Sequence, residues 1–158
     1  MQNGWSALFG DREVALPRRL VLTAAQVEAI RSSALAAYPN EGCGLLVGEA
    51  DRVTRVVPSP NVAEQGRDRF EIDPRVRLSL MKTLRGTSER LIGHWHSHPD
   101  AEPAPSATDL AHAYEPALIW VICGVSSTGK TALKAWKLAE NRAGFSALPM
   151  VVTTEMKG

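Results

Sequence analysis

The sequence has few of the features that mark secreted, membrane-spanning or nucleic-acid-binding proteins. Its two cysteines, Cys43 and Cys123, lie far apart, which is typical of reduced thiols in a cytoplasmic protein rather than of a disulfide framework. No apolar run approaches the ~18–20 residues of a membrane span, and the N-terminus lacks the basic-then-apolar order of a signal peptide. A formal net charge of +1 argues against nucleic-acid binding driven by bulk electrostatics. We therefore expect a cytoplasmic protein that binds neither membranes nor nucleic acid.

The length and composition are those of one ordinary globular domain. The chain has 158 residues, of which 44% are hydrophobic and 22% charged, enough to bury a sizeable core. We predict a single domain at residues 18–158, preceded by an arm at residues 1–17. Trp5, Leu8 and Phe9 give the arm a short apolar face, so it is either loosely docked or a partner-binding or dimer-swapped segment. The oligomeric state stays open, with a homodimer as one option.

Hydrophobic periodicity and capping signals predict strands alternating with helices. The helices are predicted after the capping box that begins at Thr23, after Asp73-Pro74, and from Ser106 onward. The strands are predicted at residues 18–22, 43–47, 53–57, 70–72, 91–96, 117–125, 132–138 and 145–152. The unbroken apolar run at residues 43–47 indicates a strand buried on both faces. The second helix is predicted to bury Val76, Leu80, Met81 and Leu84.

All four histidines of the chain lie between His94 and His112. The run Gly93–Pro99 follows an apolar approach and reads as a strand that continues into a loop. Residues two apart on a strand share a face. His96 and His98 therefore point the same way, ~6–7 Å apart at the backbone, and both imidazoles can converge on one cation.

A carboxylate follows at the start of the third helix. Ser106 and Asp109 form the S-x-x-D pattern of a capping box, which places Asp109 near a helix N-terminus. Two histidines and one aspartate suit zinc, and three protein ligands leave the fourth position for water, as in catalytic sites. A closed structural site would need Cys43, Cys123 or His112 as the fourth ligand, and a plain capping box without metal is the other alternative.

These residues resemble a known family. H-S-H-P, ten residues between the second histidine and Asp109, and P-S-x-x-D resemble the JAMM motif of MPN-domain zinc metalloproteases. The run Asn40–Gly48 matches the upstream element of that family, a glutamate just ahead of a buried strand. The resemblance covers roughly Leu20 to Leu138 and implies an α+β fold with a mixed, largely antiparallel central β-sheet flanked by helices.

The resemblance also implies a mechanism and a role for each matching residue. His96, His98 and Asp109 would bind one zinc ion, which lowers the pKa of water from 15.7 to about 7. Attack on an amide carbonyl still requires a base that passes the proton to the leaving amine. Only the match to the family identifies Glu41 as that base, and likewise Ser106 as a donor to the oxyanion.

Four neighbouring side chains need separate interpretations. The family more often has an apolar or aromatic residue at the position of His94, which we interpret as a second-sphere or cleft-wall residue. His112 could hydrogen-bond Asp109 from the same helix face, although a surface histidine is the simpler interpretation. Trp95 is expected in the core on the opposite face, and Cys43 is expected to be a small buried hydrophobe.

The resemblance further implies a substrate class. Family members cut peptide or isopeptide bonds after the Gly-Gly tail of ubiquitin or ubiquitin-like proteins, and the predicted strands after Asp109 leave no room for a large insertion. The chain thus resembles the compact prokaryotic branch, which is associated with small ubiquitin-like sulfur carriers. We expect the glycine tail of such a partner to add as a strand beside the active-site edge.

Two other function classes remain as alternatives. One is a non-catalytic MPN scaffold, although all the metal ligands are present. The other is a phosphate-binding module, because Gly124–Thr131 fits the G-x-x-x-x-G-K-[ST] pattern after an apolar strand. Too little chain follows Thr131 for the strand and acidic residue that hold magnesium in such proteins, so we interpret residues 126–129 as a hairpin turn.

Overall fold

The computed structural model describes residues 17–154. The predicted arm at residues 1–17 therefore lies, apart from Pro17, outside the described residues. In chain order the elements are β1 (Leu20–Thr23), α1 (Ala24–Ala37), β2 (Cys43–Glu49), β3 (Arg52–Ser59), α2 (Pro74–Leu84), β4 (Arg90–Pro99), α3 (Ala107–Ala111), β5 (Ile119–Val125), β6 (Thr131–Leu138), β7 (Phe145–Leu148) and β8 (Met150–Thr153). Within residues 17–154, none of the helices has the length and apolar character needed to cross a membrane.

The strands form one mixed sheet in the order β7-β6-β5-β4-β2-β3-β1-β8. Of the neighbouring pairs, four are antiparallel and three are parallel. The helices cover the sheet, with α1 and α2 packed against opposite faces of β2. The predicted α+β class with a largely antiparallel sheet is confirmed, and β4, the strand with the histidines, lies in the interior of the sheet.

Strand β2 is buried on both faces, as its apolar run predicted. Leu46 belongs to a core cluster that includes Ile30 of α1, whereas Leu45 and Val47 belong to a cluster that includes Leu80 of α2. Because a one-residue slip would exchange one apolar face for the other, the apolar pattern alone does not set the register of β2 with β4.

Gly44 of β2 pairs with Trp95 of β4 and lies against its indole ring. A methyl group at this position would overlap the Trp95 indole nitrogen and the Val57 carbonyl oxygen. Gly44→Ala is therefore expected to lower the free energy of unfolding by at least about 1–3 kcal/mol. Gly144→Ala is the matched control because its methyl group would meet no atom within 4 Å. Urea denaturation of both variants measures the difference, and equal stabilities would contradict the packing described here.

Some local predictions are wrong. The strand predicted at residues 70–72 is reduced to an isolated bridge between Asn61 and Ile72, because the Asn61 side chain takes the Glu71 backbone N–H that a ladder would use. Met81, predicted to be buried, is 48% exposed.

The predicted starts of the three helices are confirmed, since the side chains of Thr23, Asp73 and Ser106 each cap a helix.

The single strand predicted at residues 145–152 is divided at Pro149 into β7 and β8. β7 pairs with β6 and β8 pairs with β1, so the two halves lie at opposite ends of the strand order. Because only Pro149 separates β7 from β8, the sheet must curl so that its two end strands meet at this residue. The Pro149 carbonyl accepts a hydrogen bond from the Leu20 N–H at 2.9 Å.

Residues Gly124–Thr131 form a hairpin, as predicted, and not a phosphate-binding loop. The Ser126 N–H donates to the Lys130 carbonyl at 2.9 Å, and Gly129 has a φ of 82°. The segment after the turn is β6, which pairs antiparallel with β5. A phosphate-binding loop requires a helix at that point, so the alternative function based on this motif is excluded.

Candidate metal centre

Two imidazoles of β4 meet on one face of the sheet. His96 and His98 are 0% and 7% exposed, and their Nε2 atoms lie 3.1 Å apart. β4 is held on both sides, since its partners are β2 and β5. The two side chains are therefore fixed by the backbone of an interior strand, as the alternation of the sequence predicted.

Asp109 completes the cluster from the first turn of α3. Its Oδ1 lies 3.2 Å from His96 Nε2, and its Oδ2 lies 3.0 Å from His98 Nε2. The same carboxylate accepts the Ser106 N–H at 2.9 Å, while Ser106 Oγ accepts the Asp109 N–H at 3.0 Å. Burial alone would raise the pKa of Asp109, but hydrogen bonds with His96 and His98 outweigh it and hold that pKa well below its usual range. Asp109 thus serves as both helix cap and candidate ligand.

Glu41 lies at the edge of this cluster, two residues before β2. Its Oε1 is 3.8 Å from His98 Nε2, and one oxygen of Glu41 lies within 4.8 Å of both histidines. Two candidate triads therefore share His96 and His98, one with Asp109 and one with Glu41. The shorter distances favour Asp109 as the third ligand and leave Glu41 beside the centre. Burial raises the pKa of Glu41 to about 8, although His98 opposes the shift.

The donor set fits a divalent metal ion. Ligand bonds of about 2.0–2.1 Å in a tetrahedral site place neighbouring ligand atoms about 3.3 Å apart, close to the 3.0–3.2 Å observed among His96, His98 and Asp109. His98 Nδ1 lies 3.0 Å from the Glu102 carbonyl. Donation to that carbonyl leaves the lone pair of the neutral ring on Nε2, the usual outer-sphere support of a metal-bound histidine.

The candidate fourth ligands of a closed structural site lie elsewhere. Cys43 is buried without a disulfide, and burial raises the pKa of its thiol to about 12. Cys123 is likewise a buried free cysteine. His112 is exposed, and its Nδ1 lies 2.9 Å from the Thr108 carbonyl, as expected for a surface residue. Within residues 17–154, these side chains are not part of the cluster.

His94 and Trp95 occupy opposite faces of β4, as predicted. Trp95 is 1% exposed and belongs to the core cluster on the α1 side. His94 lies against Trp120, with ring centroids 4.3 Å apart, and lines a cavity next to the centre. Burial lowers the pKa of His94 to about 3. His94 therefore forms part of the wall of this cavity, with its ring centroid 6.0 Å from that of His96.

Sequence reasoning missed Phe70. Its ring stacks on His96 with centroids 4.2 Å apart and an interplanar angle of 14°. Phe70 comes from the loop between β3 and α2, and it also lines the cavity of about 540 Å³ that adjoins Asp109 and His94. The sequence offers no local signal for this contact, because the loop is far from the histidines along the chain.

Comparison with known proteins identifies the family. Residues 23–139 match the family described as prokaryotic homologs of the JAB domain. The chain belongs to this family. Membership confirms the assignment made from the JAMM motif and the expectation of a JAMM-type hydrolase.

Individual members of the family resemble the chain over most of its length. The desampylase of Haloferax volcanii is 35% identical over 108 residues, 67% of this chain and 76% of that protein. The CysO-cysteine peptidase of Mycobacterium tuberculosis is 28% identical over 123 residues, 77% of this chain and 84% of that protein. A solution structure from Desulfitobacterium hafniense superposes with a TM-score of 0.77 at 32% identity and covers 87% of this chain and 95% of that one.

Proposed function

We propose that this protein is a zinc-dependent peptidase or isopeptidase that cleaves the amide bond after the C-terminal Gly-Gly of a ubiquitin-like or sulfur-carrier protein. The observation that supports the proposal most is the meeting of His96, His98 and Asp109 within 3.0–3.2 Å, with Glu41 beside them. The CysO-cysteine peptidase is named for a bond to a partner called CysO, and the desampylase for removal of a modifier. These names support a protein conjugate as substrate.

His96, His98 and Asp109 would hold the zinc ion. When bound, zinc polarises a carbonyl oxygen and lowers the pKa of water to about 7. Two histidines and one carboxylate form the ligand set of several catalytic zinc sites, in which a fourth position stays open.

Glu41 would move the proton. Its Oε1 accepts the proton of the attacking water and then donates it to the nitrogen of the leaving amine, which is the usual work of a carboxylate in hydrolysis. The distance of 3.8 Å from Oε1 to His98 Nε2, longer than those among His96, His98 and Asp109, supports a role for this carboxylate beside the proposed ligands. Glu41 Oε2 is buried without a hydrogen-bond partner among the described residues, so the group has an unused acceptor at the centre.

Ser106 is suited to two roles at once. Its Oγ accepts the Asp109 N–H at 3.0 Å as a helix cap. Its own hydroxyl proton has no acceptor among residues 17–154 and can be donated to the oxyanion that forms at the substrate carbonyl. The cap and the catalytic donor are therefore compatible functions of one hydroxyl group.

Ser106→Ala separates the two roles. Loss of the cap is expected to cost roughly 1 kcal/mol of stability, whereas loss of an oxyanion donor lowers kcat by about 10²–10³-fold. Thr23→Ala is the matched control, because Thr23 caps α1 with the same capping box away from the centre. Thermal melts and cleavage rates of both variants measure the two effects. Equal rates for the two variants would leave Ser106 with the cap alone.

The substrate tail cannot pair with β4 along its histidines, since β2 and β5 already flank that strand. Phe70 offers an alternative edge next to the centre, because its backbone N–H and C=O groups have no hydrogen-bond partner among residues 17–154. We propose that the glycine tail pairs with this loop, a short form of β-augmentation. Glycines suit such a site because they let a backbone approach closely.

Cleavage of a defined conjugate tests the proposal. Zinc-loaded protein is incubated with sulfur-carrier and ubiquitin fusions that continue beyond the C-terminal Gly-Gly, and with matched fusions that carry Ala-Ala. We expect cleavage after Gly-Gly only, loss of cleavage on chelation, and recovery with added zinc. Failure of the zinc-loaded protein to cut every such fusion would refute the proposed activity. Binding without cleavage would favour the non-catalytic scaffold.

A further inference from the structure

The base proposed for the reaction is not part of a helix or a strand. Glu41 lies between the end of α1 and the start of β2, so neither element fixes its backbone. Its N–H donates to the Gly66 carbonyl at 2.6 Å, and its carbonyl accepts a hydrogen bond from Asn61 Nδ2 at 3.0 Å. Both backbone groups of Glu41 are thus held by the loop between β3 and α2.

The side-chain amide of Asn61 organises that loop. Its Oδ1 accepts the N–H groups of Ala63 at 3.1 Å and Glu71 at 3.0 Å. Its Nδ2 donates to the Arg69 carbonyl at 2.9 Å in addition to the Glu41 carbonyl. One amide therefore ties together the start of the loop, its end and the backbone of Glu41.

The chemistry of these contacts is specific for asparagine. They require two N–H donors and one carbonyl acceptor on a short side chain, which asparagine supplies. An aspartate of the same shape retains the acceptor but loses both donors and turns a carboxylate toward the Glu41 and Arg69 carbonyls. The loop also lines the cavity at the centre, through Arg69, Phe70 and Glu71 among others.

We propose that Asn61 is a positioning residue that couples the cavity loop to Glu41. The inference rests on the proposed function, because it takes Glu41 as the base. A substrate tail that binds to the loop would shift the Asn61 amide and, through it, the backbone of Glu41. Binding of substrate in the cavity and the position of the Glu41 carboxylate are therefore linked. The metal ligands do not depend on this linkage, since they are supported by β4 and α3.

Asn61→Asp tests the inference in the zinc-loaded full chain. We expect kcat to fall by about 10²-fold, the effect of a displacement of about 1 Å at a reacting group. The affinity for zinc is expected to change little, whereas KM is expected to rise, because Asn61 also holds Arg69 and Glu71 on either side of Phe70. Asn141→Asp is the matched control, because Asn141 is exposed and accepts only the Ala143 N–H of a local turn. Asn61→Ser, too short to reach both carbonyls, is a second variant in case the aspartate perturbs folding.

A double substitution separates positioning from general loss of structure. If Asn61 acts through Glu41, then Asn61→Asp has no further effect on kcat in a Glu41→Gln background. Full additivity of the two losses would overturn the proposal.

Hydrogen exchange provides a readout that does not need activity. In Asn61→Asp the amide of Glu41 is expected to exchange faster, while the amides of β4 and α3 keep their protection. Unchanged exchange at Glu41 would overturn the inference. If the wild-type protein cleaves no Gly-Gly fusion, the proposed function fails, yet this measurement still decides whether Asn61 holds Glu41.

Discussion

Glu41→Gln is expected to lower kcat by about 10²–10⁴-fold, the usual contribution of a general acid–base group. The amide has nearly the shape of the carboxylate but can neither accept the proton of the attacking water nor deliver it to the leaving amine. Since His96, His98 and Asp109 are the proposed ligands, zinc binding is expected to survive, and cleavage kinetics together with the bound zinc content measure the two properties separately. Loss of zinc along with activity would instead make Glu41 a ligand, as the second triad of the cluster implies.

The matched control for this substitution is Glu64→Gln. Glu64 is an exposed carboxylate that lines the cavity next to Asp109, so its loss changes the local charge without touching the centre. Full activity is expected. A similar loss of kcat in both variants would show that cavity charge, and not proton transfer by Glu41, limits the reaction.

The Glu41 substitution also has a pH signature in the metal-free protein. Burial raises the pKa of Glu41 to about 8 from its ordinary value of 4.5. Between these values the folded state retains a proton that the unfolded state releases, so the wild-type stability falls as the pH rises. Glu41→Gln has no proton to lose and is expected to lack this part of the decline in chemical denaturation between about pH 5 and 8.

Asp109→Asn is expected to abolish both zinc binding and activity. The amide can still accept the Ser106 N–H, so the helix start is preserved, but it offers no negative charge to the metal ion. The loss of zinc affinity should exceed the 10–100-fold typical of changes to an outer-sphere partner. Zinc content after dialysis and competition with a chelator of known affinity measure it.

Asp73→Asn is the control for the structural part of that change. Asp73 and Asp109 are each 5% exposed and each accept a backbone N–H at the start of a helix, but Asp73 lies at α2, away from the histidines. Similar small changes in stability are expected for the two apoproteins, with zinc retained only by Asp73→Asn. If Asp109→Asn bound zinc as tightly as the wild type, the assignment of the third ligand would be wrong.

The residues of the centre were predictable because their positions follow from local rules. Strand alternation places His96 and His98 on one face, and the S-x-x-D pattern places Asp109 at a helix start. Both rules act over a few residues, and the structure shows both. The convergence of α3 on β4 is a tertiary contact that no local rule predicts; the suitability of two histidines and one aspartate for zinc suggested it, and the resemblance to the JAMM motif added support.

The contributions that escaped sequence reasoning come from the loop between β3 and α2. Phe70 stacks on His96, and Asn61 holds Glu41, but neither belongs to a periodic pattern or lies near the motif along the chain. The strand that was wrongly predicted at residues 70–72 also lies in this loop. An asparagine whose amide accepts a loop N–H in place of a backbone carbonyl has no distinguishing sequence pattern, so its role becomes apparent only in the structure.

The division of the C-terminal segment into β7 and β8 at Pro149 could not be predicted from local sequence patterns either. Proline is an evident interruption, yet nothing nearby in sequence indicates that the two halves pair with strands at opposite ends of the sheet. That arrangement depends on the curl of the whole sheet.

This closure has a consequence for synthesis on the ribosome. β1 leaves the exit tunnel before the other described strands, but its parallel neighbour β8 is the last of them to be made. A nascent chain that has already released both histidines and Asp109 still has one flank of β1 without hydrogen-bond partners, a surface prone to pair with other chains. Completion of the native molecule therefore waits for translation of Met150–Thr153, and messages cut short before these codons should yield aggregated rather than partially active product.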